Sequence, residues 1–411
     1  MGLDKFQIIF DTQPAVFYSG QTMSGRIVVF NSNEDKFRGI NVKIYGESSV
    51  KWRSSLRRSS DKRDGFLNNL DMLLSNKHNR SRYTLHETNE VYLDHEFPIF
   101  GGEGEKLSLE PGEHSYPFTY TLPKKLPSSF EGELGFVRYT FKATVDRPWK
   151  TDCAAKVAFT VISPIDLNKD PNMASPTSVE SIQKFGCCYC CCASGAVKVF
   201  VSVLTGGVVS GDTLLATVDI ENTSRVALSR VTLKFIKVAT YKVKRSRGKK
   251  WNCSRKCEVT IVEKNLGRLE SGQAHVYQRE ALKIPPLPPS NLAHCNTIDL
   301  DYFVVAHISP FGAHRNFEVR VPMVVGTIPL QQNSAQYAPA PQNPPLGWNV
   351  DPSAPPPEHS MPSIYPDLPH PSFEQSAFGT TNFFDNSEKK NVFGDKNFAP
   401  MYPVFNTNNM I

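Results

Sequence analysis

A stretch of 29 residues occurs twice in this chain, and no other feature constrains its fold as strongly. Tyr18–Gly46 (YSGQTMSGRIVVFNSNEDKFRGINVKIYG) lies without gaps on Val209–Lys237 (VSGDTLLATVDIENTSRVALSRVTLKFIK). Ser19, Gly20, Thr22, Asn31 and Lys43 meet the same residues at Ser210, Gly211, Thr213, Asn222 and Lys234. Ile27, Val29, Ile40 and Val42 meet Val218, Ile220, Val231 and Leu233. Further along, Leu109-Glu-Pro-Gly112 answers Leu269-Glu-Ser-Gly272, and Leu126-Pro-Ser-Ser129 answers Leu287-Pro-Pro-Ser290. Both copies alternate apolar with polar residues and break at Gly, Asn and Ser, the pattern of half-buried strands joined by tight turns. Two copies of one strand-and-turn plan imply two domains of one architecture, each an Ig-like antiparallel β-sandwich.

The rest of the chain arranges itself around that repeat. Gln7–Phe10, Arg26–Phe30, Gly39–Tyr45, Val137–Val145 and Lys156–Ile162 read as strands of a first domain over residues 1–165. Within it, Leu56–Asn79 is polar and basic and reads as a loop or insertion. Asp166–Gln183, rich in Pro, Asn and Ser, opens a cysteine-rich linker over 166–194. The second sandwich is expected over 195–329. From residue 330 the character changes: 14 of the 31 prolines fall there, with only three glycines. Such a segment buries too little apolar surface to offset chain entropy, so 330–411 reads as a disordered, proline-rich tail. The fold class expected is therefore all-β, two tandem sandwiches plus a tail.

Charge and motifs narrow the function classes. The net charge of +6 is mild, with the tail acidic and the domains basic, and suits an anionic surface or acidic peptide better than nucleic acid. The N-terminal MGLDKFQIIF alternates like a strand, unlike a secretory leader. No run of about 18 apolar residues suggests a membrane helix. These features predict a cytoplasmic protein whose nine cysteines are reduced. P-loop, dinucleotide-binding, H-E-x-x-H and G-x-S-x-G patterns are missing, so neither catalysis, cofactor nor metal is expected.

At this level of detail the chain resembles the arrestin fold, and within it the α-arrestins, or arrestin-domain-containing proteins. In the first domain the resemblance rests on Tyr18-Ser-Gly-Gln-Thr-Met-Ser-Gly25, Leu109-Glu-Pro-Gly112, Pro117-Phe-Thr-Tyr120, Leu126-Pro-Ser-Ser-Phe130, Val137-Arg-Tyr-Thr140 and Asp146-Arg-Pro-Trp149. In the second it rests on Ile284-Pro-Pro-Leu-Pro-Pro-Ser290, Cys295 and Val324-Val-Gly-Thr-Ile-Pro-Leu330. The linker ending in Ala193-Ser-Gly195 is similar too. The resemblance implies a non-enzymatic adaptor in membrane-protein trafficking, peripheral to the plasma membrane or endosomes. It would join cytoplasmic segments of membrane proteins to ubiquitin-ligase or endosomal-sorting machinery. A membrane-associated scaffold without ligase recruitment is the alternative.

Family tails carry PPxY, whose prolines and tyrosine fill two pockets of a WW domain. This tail departs from that pattern. His370-Pro371-Ser372-Phe373 has lost the first proline and the tyrosine; Ala399-Pro400-Met401-Tyr402 keeps one proline and the tyrosine, and Pro362-Ser-Ile-Tyr365 keeps the other. Recruitment of WW-domain ligases rests on these weakened motifs. Pro352-Ser353-Ala354-Pro355 is an intact PSAP, a tetrapeptide that in other proteins docks on the ubiquitin-variant domain of the ESCRT machinery and in a Pro-rich tail also arises by chance. Tyr365-Pro-Asp-Leu368 and Tyr402-Pro-Val-Phe405 fit a tyrosine-based sorting signal.

Two further groups of residues admit three readings each. Cys187, Cys188, Cys190, Cys191 and Cys192 are acylated, anchoring the chain to a membrane, or small hydrophobes packed at the domain junction, or zinc ligands, a role that nearly consecutive cysteines supply poorly. Lys242, Lys244, Arg245, Arg247, Lys249 and Lys250 form a basic patch that meets anionic lipid or phosphorylated receptor tails, or sits in a solvated loop. Lys51–Arg63 is a second basic run of the same kind. Cys295, at the start of an alternating run, is expected to be core.

Overall fold

In the computed structural model the described residues are 3–55, 83–101, 107–148, 152–186, 193–244, 252–331, 371–384 and 392–405. The first sandwich is built from β1 (Lys5–Phe10), β2 (Val16–Tyr18), β3 (Thr22–Asn31), β4 (Asp35–Phe37), β5 (Gly39–Ser55), β6 (Tyr83–Gly101), β7 (Leu107–Leu109), β8 (Gly112–Thr121), β9 (Phe130–Glu131), β10 (Gly135–Asp146) and β11 (Cys153–Ile162). One sheet runs β1-β3-β8 and the facing sheet β2-β11-β10-β5-β6, with β9 at the side of β10. Phe10 sits between them, edge-on to Phe17, Phe118, Phe141 and Phe159 at 5.4–6.0 Å, the preferred geometry for aromatic pairs.

The second sandwich repeats the plan. It comprises β12 (Thr177–Gly186), β13 (Ala193–Val203), β14 (Gly207–Val209), β15 (Thr213–Asn222), β16 (Leu228–Lys244), β17 (Asn252–Leu269), β18 (Ala274–Lys283), β19 (Ile298–Pro310) and β20 (Phe317–Gly326). Its sheets run β12-β13-β15-β18 and β14-β20-β19-β16-β17. The repeat seen in the residues holds at the level of atoms. Gly20 and Gly211 both take positive φ, 85° and 94°, a region that costs other residues steric strain. Their amides donate to Pro123 O and Ile284 O. Asn31 Nδ2 donates to Leu109 O, and Asn222 Nδ2 to Glu270 O, each at 3.1 Å. Ser129 and Ser290 each exchange main-chain and side-chain bonds with Val161 and Val325. Tyr139 and Tyr302, both buried, donate their hydroxyls to Pro127 O and Pro288 O at 2.7 Å. The Pro285–Pro289 run is thus a structural loop, the counterpart of Leu126–Ser129.

Two boundaries differ from the sequence reading. The segment read as linker contains, after two short 3-10 turns (Leu167–Lys169 and Pro171–Ala174), the edge strand β12, so the second sandwich begins at Thr177. An edge strand turns one side of its backbone to solvent, and its Thr, Ser, Glu, Gln and Lys content resembles that of a loop. The tail is not featureless throughout. β21 (Ser372–Gln375), β22 (Thr381–Asn382), β23 (Val392–Phe393), β24 (Asn397–Phe398) and β25 (Met401–Val404) lie against the domains. Phe383, Phe384, Phe398, Tyr402 and Phe405 are all buried. These aromatics supply what the proline-rich composition lacks, apolar area enough to hold short strands in place.

Candidate functional site

The surfaces that carry chemistry lie where the domains meet and where the tail crosses them. The long β5–β6 hairpin reaches the second domain: Ser48 Oγ and Thr297 Oγ1 are 2.7 Å apart and buried. The Tyr92 hydroxyl lies 2.9 Å from Ser48 Oγ and Glu90 Oε2 and 3.2 Å from Cys295 Sγ. Glu90 Oε2 accepts from the Asn296 amide at 3.0 Å. Burial pushes the Glu90 carboxyl up, but hydrogen bonds from Asn296 and Tyr92 outweigh it and hold the carboxylate below its ordinary range. Burial and the nearby Cys295 thiol raise the Tyr92 phenol, which stays a donor. Cys295 is half-buried, in the turn before β19 rather than on the strand. It packs against the hydrophobic core at the junction, its sulfur accepting from Tyr92 of the first domain and from the Ile298 amide of its own.

A second contact runs through β9 and β16. Phe130 is buried, and the Lys237 ammonium lies 5.1 Å from its ring centroid. On the other side the Phe378 ring approaches that ammonium to 3.1 Å. Lys237 is only 3% exposed, and no ion pair or hydrogen bond reaches its ammonium among the described residues. Burial pulls its pKa down to about 7, while the two ring faces favour the charged form. In the repeat Lys237 stands where the first domain has Gly46. Gly46 pairs with Tyr139, and a Cβ there would meet the tyrosine ring at 2.4 Å; Lys237 pairs with Tyr302. The periodicity of β16 gave no sign of a buried cation, because a lysine on an alternating strand reads as a solvent position.

The tail completes the junction. Tyr402 is buried, and its hydroxyl donates to Ser129 O of the first domain at 2.9 Å. The Met401 amide donates to Thr160 Oγ1 at 3.1 Å. Four residues on, the Phe405 amide donates to Ser210 O of the second domain at 3.0 Å. Phe405 packs with Leu167 and Val209, while Met401 and Phe373 pack on Val16, Tyr18 and Ile162. β25 pairs antiparallel with β21, so the two weakened motifs, at Phe373 and Tyr402, lie side by side. Upstream, β23 adds in parallel to β11 at Ala154 and Ala155. Phe383 and Phe384 line a cleft of about 390 Å³ with Tyr45, Arg138 and Lys156. Arg138 is held there by a bidentate pair with Glu131 at 2.7 and 2.8 Å.

Placement of the other candidates is uneven. Ala399, Pro400 and Tyr402 are buried, with Met401 half-buried at the start of β25, where an exposed polyproline turn was expected, because Tyr402 finds an acceptor in Ser129 O. Pro371 and Ser372 are described, and His370 is not. Lys242 and Lys244 are exposed at the end of β16, and Lys242 pairs with Asp299 at 3.5 Å. Arg245, Arg247, Lys249, Lys250, Cys187–Cys192, Pro352–Pro355, Tyr365, Leu368 and the insertion at 56–79 lie outside the described residues. Among the described residues no group of three His, Cys, Asp or Glu side chains is arranged to hold a metal ion, and no helix is long and apolar enough to cross a membrane.

Two tandem sandwiches of one topology, joined by a short connector and crossed by their own tail, define the arrestin architecture here. Residues 6–168 match the family model of the arrestin (or S-antigen) N-terminal domain, and residues 193–330 that of the C-terminal domain. Arrestin domain-containing protein 17 of Caenorhabditis elegans is 29% identical, over 98% of this chain and 99% of that protein. Arrestin domain-containing protein 1 of Rattus norvegicus is 30% identical over 70% of this chain and 62% of its own length. Arrestin domain-containing protein 4 of Homo sapiens is 26% identical over 78% and 70%. The chain belongs to the α-arrestins, the arrestin domain-containing proteins, whose members are non-enzymatic adaptors.

Proposed function

We propose that this α-arrestin works in membrane-protein trafficking, its sandwiches binding cytoplasmic segments of membrane proteins and its tail recruiting ubiquitin-ligase or endosomal-sorting machinery. The observation that carries this reading is the division of labour along the chain. Two arrestin domains stand before a tail that holds an intact PSAP at Pro352–Pro355 and weakened PPxY motifs at Phe373 and Tyr402. Short extended peptides of this kind suit adaptors, since they dock by main-chain bonds and one or two pocket-filling side chains. The buried setting of Tyr402 favours the PSAP as the motif engaged first, and hence ESCRT contact over direct ligase contact. Cysteines 187–192 and the basic patch would add membrane-surface attachment.

The test compares the full chain with its Pro355→Ala variant in cells, recovering tagged protein and probing for ESCRT and WW-domain partners. Recovery of an ESCRT component that falls about tenfold in the variant supports the sorting role. If neither partner class is recovered while membrane association is abolished by hydroxylamine, the acylated scaffold replaces it.

A further inference from the structure

The tail does not lie along one domain; it ties the two together, and it does so with a residue of its own recruitment motif. Tyr402 is 1% exposed, and its ring and hydroxyl face the first domain through Ser129 O. The next main-chain anchor, Phe405 N to Ser210 O, belongs to the second domain. Earlier in the tail the Ala377 amide donates to Pro286 O of the second domain at 3.3 Å, and Phe378 covers Lys237. β23 meanwhile pairs with β11 of the first. With Phe373 packed on Val16, Tyr18 and Ile162 of the first domain, the tail therefore crosses the junction three times. A WW domain needs the tyrosine ring and at least one proline free on one face of an extended peptide. Here Pro400, Tyr402 and Pro403 are all buried, and one β25 edge is taken by β21.

We infer that residues 372–384 and 392–405 form an intramolecular clasp that holds the sandwiches together and hides the Tyr402 motif, so that a ligase reaches it only after the tail lets go. This rests on the trafficking reading for the identity of the partner, but the clasp itself does not. Binding to a site open in only a fraction of molecules is weakened by that fraction. A tail released in roughly one molecule in a hundred would weaken Tyr402-directed binding about a hundredfold. The clasp also links recruitment to domain movement, because anything that parts Ser129 from Ser210 loosens both ends of β25. A partner segment bound across the sandwiches would thereby expose the motif.

The decisive variants lie in the tail, outside the motif, and change no residue of either sandwich: Phe393→Asp with Phe405→Asp. Amide exchange in the full chain is read by mass spectrometry over 399–405, against a synthetic peptide of residues 394–411. The same three samples are titrated with a purified WW domain that takes PPxY ligands. In the wild-type chain the Met401 and Phe405 amides should exchange at least tenfold slower than in the peptide, and in the double variant at the peptide's rate. WW binding should be at least tenfold weaker for the wild-type chain than for peptide and variant. Wild-type exchange at the peptide's rate overturns the clasp, as does equal WW affinity of wild type and peptide. If exchange is protected but the peptide itself binds no WW domain, the clasp stands and the ligase reading of Tyr402 fails.

Discussion

Tyr302→Ala is expected to unfold the second sandwich at markedly lower temperature, at a cost of about 3–5 kcal/mol, and Tyr139→Ala to do the same to the first. Each tyrosine is fully buried, and each ring abuts an aromatic neighbour, Phe159 for Tyr139 and Phe235 for Tyr302. Truncation leaves a cavity that a close-packed sandwich fills only in part. The hydroxyls matter separately. Pro127 O and Pro288 O have these phenols as buried partners, and an orphaned carbonyl costs about 1–3 kcal/mol. Tyr→Phe at either site should therefore fall between wild type and Tyr→Ala. Burial raises both phenols well above their ordinary range, so they remain donors throughout the accessible pH range. Calorimetry on the full chain is the measurement. A Tyr302→Ala melt that coincides with wild type would remove the symmetric role assigned to the pair.

Lys237→Met should stabilise the protein at neutral pH by about 1–2 kcal/mol, since a buried ammonium with no ion pair or hydrogen bond among the described residues is replaced by an apolar chain of similar length. The ring faces of Phe130 and Phe378 offset part of the desolvation cost, each by up to about 2 kcal/mol when dry, which keeps the expected gain small. The pH dependence separates this account from simple repacking. With the folded pKa near 7 and the unfolded value near 10.4, the unfolded chain binds more protons between those limits. The linkage slope is then positive: wild-type stability rises from about pH 7 toward pH 10 on account of this group, and below pH 7 the penalty is complete. The variant lacks the term, so its advantage should shrink steadily as pH is raised from 7 to 9. An advantage constant across that range, or a loss at pH 7, would show that Lys237 is better satisfied than its surroundings indicate.

The sandwiches were legible because their turns are written in residues with special backbone needs. Gly20 and Gly211 mark the same positive-φ corner, and Asn31 and Asn222 the same loop brace, so the repeat carried the fold. Tyr139 and Tyr302 perform one role, but they lie beyond the ungapped stretch, where Pro127 and Pro288 precede them at slightly different separations. β12 was hidden by the polarity proper to an edge strand. The tail was read as disordered from its prolines. Its anchoring aromatics, Phe373, Phe378, Phe383, Phe398, Tyr402 and Phe405, recur at irregular intervals that follow no helix or strand period. Only the three-dimensional surface they meet gives them a pattern. Lys237 and the Tyr92–Cys295–Ser48 contacts were illegible for the same reason, since each depends on a partner in the other domain.

The addition of β23 to β11 has a consequence for handling the protein. On its outer side β11 is paired by β2 at Thr160–Ile162 and by β23 at Ala154–Ala155. Unpaired strand edges are templates for other chains, and proteins cover or charge them to stay apart. A chain cut before residue 392 loses the cover over two alanines, which offer neither charge nor bulk to deter a neighbour. Such a truncation is expected to keep both domains folded yet to form dimers and larger species as its concentration rises. Light scattering would register this self-association, and adding back a peptide of residues 392–405 should reverse it.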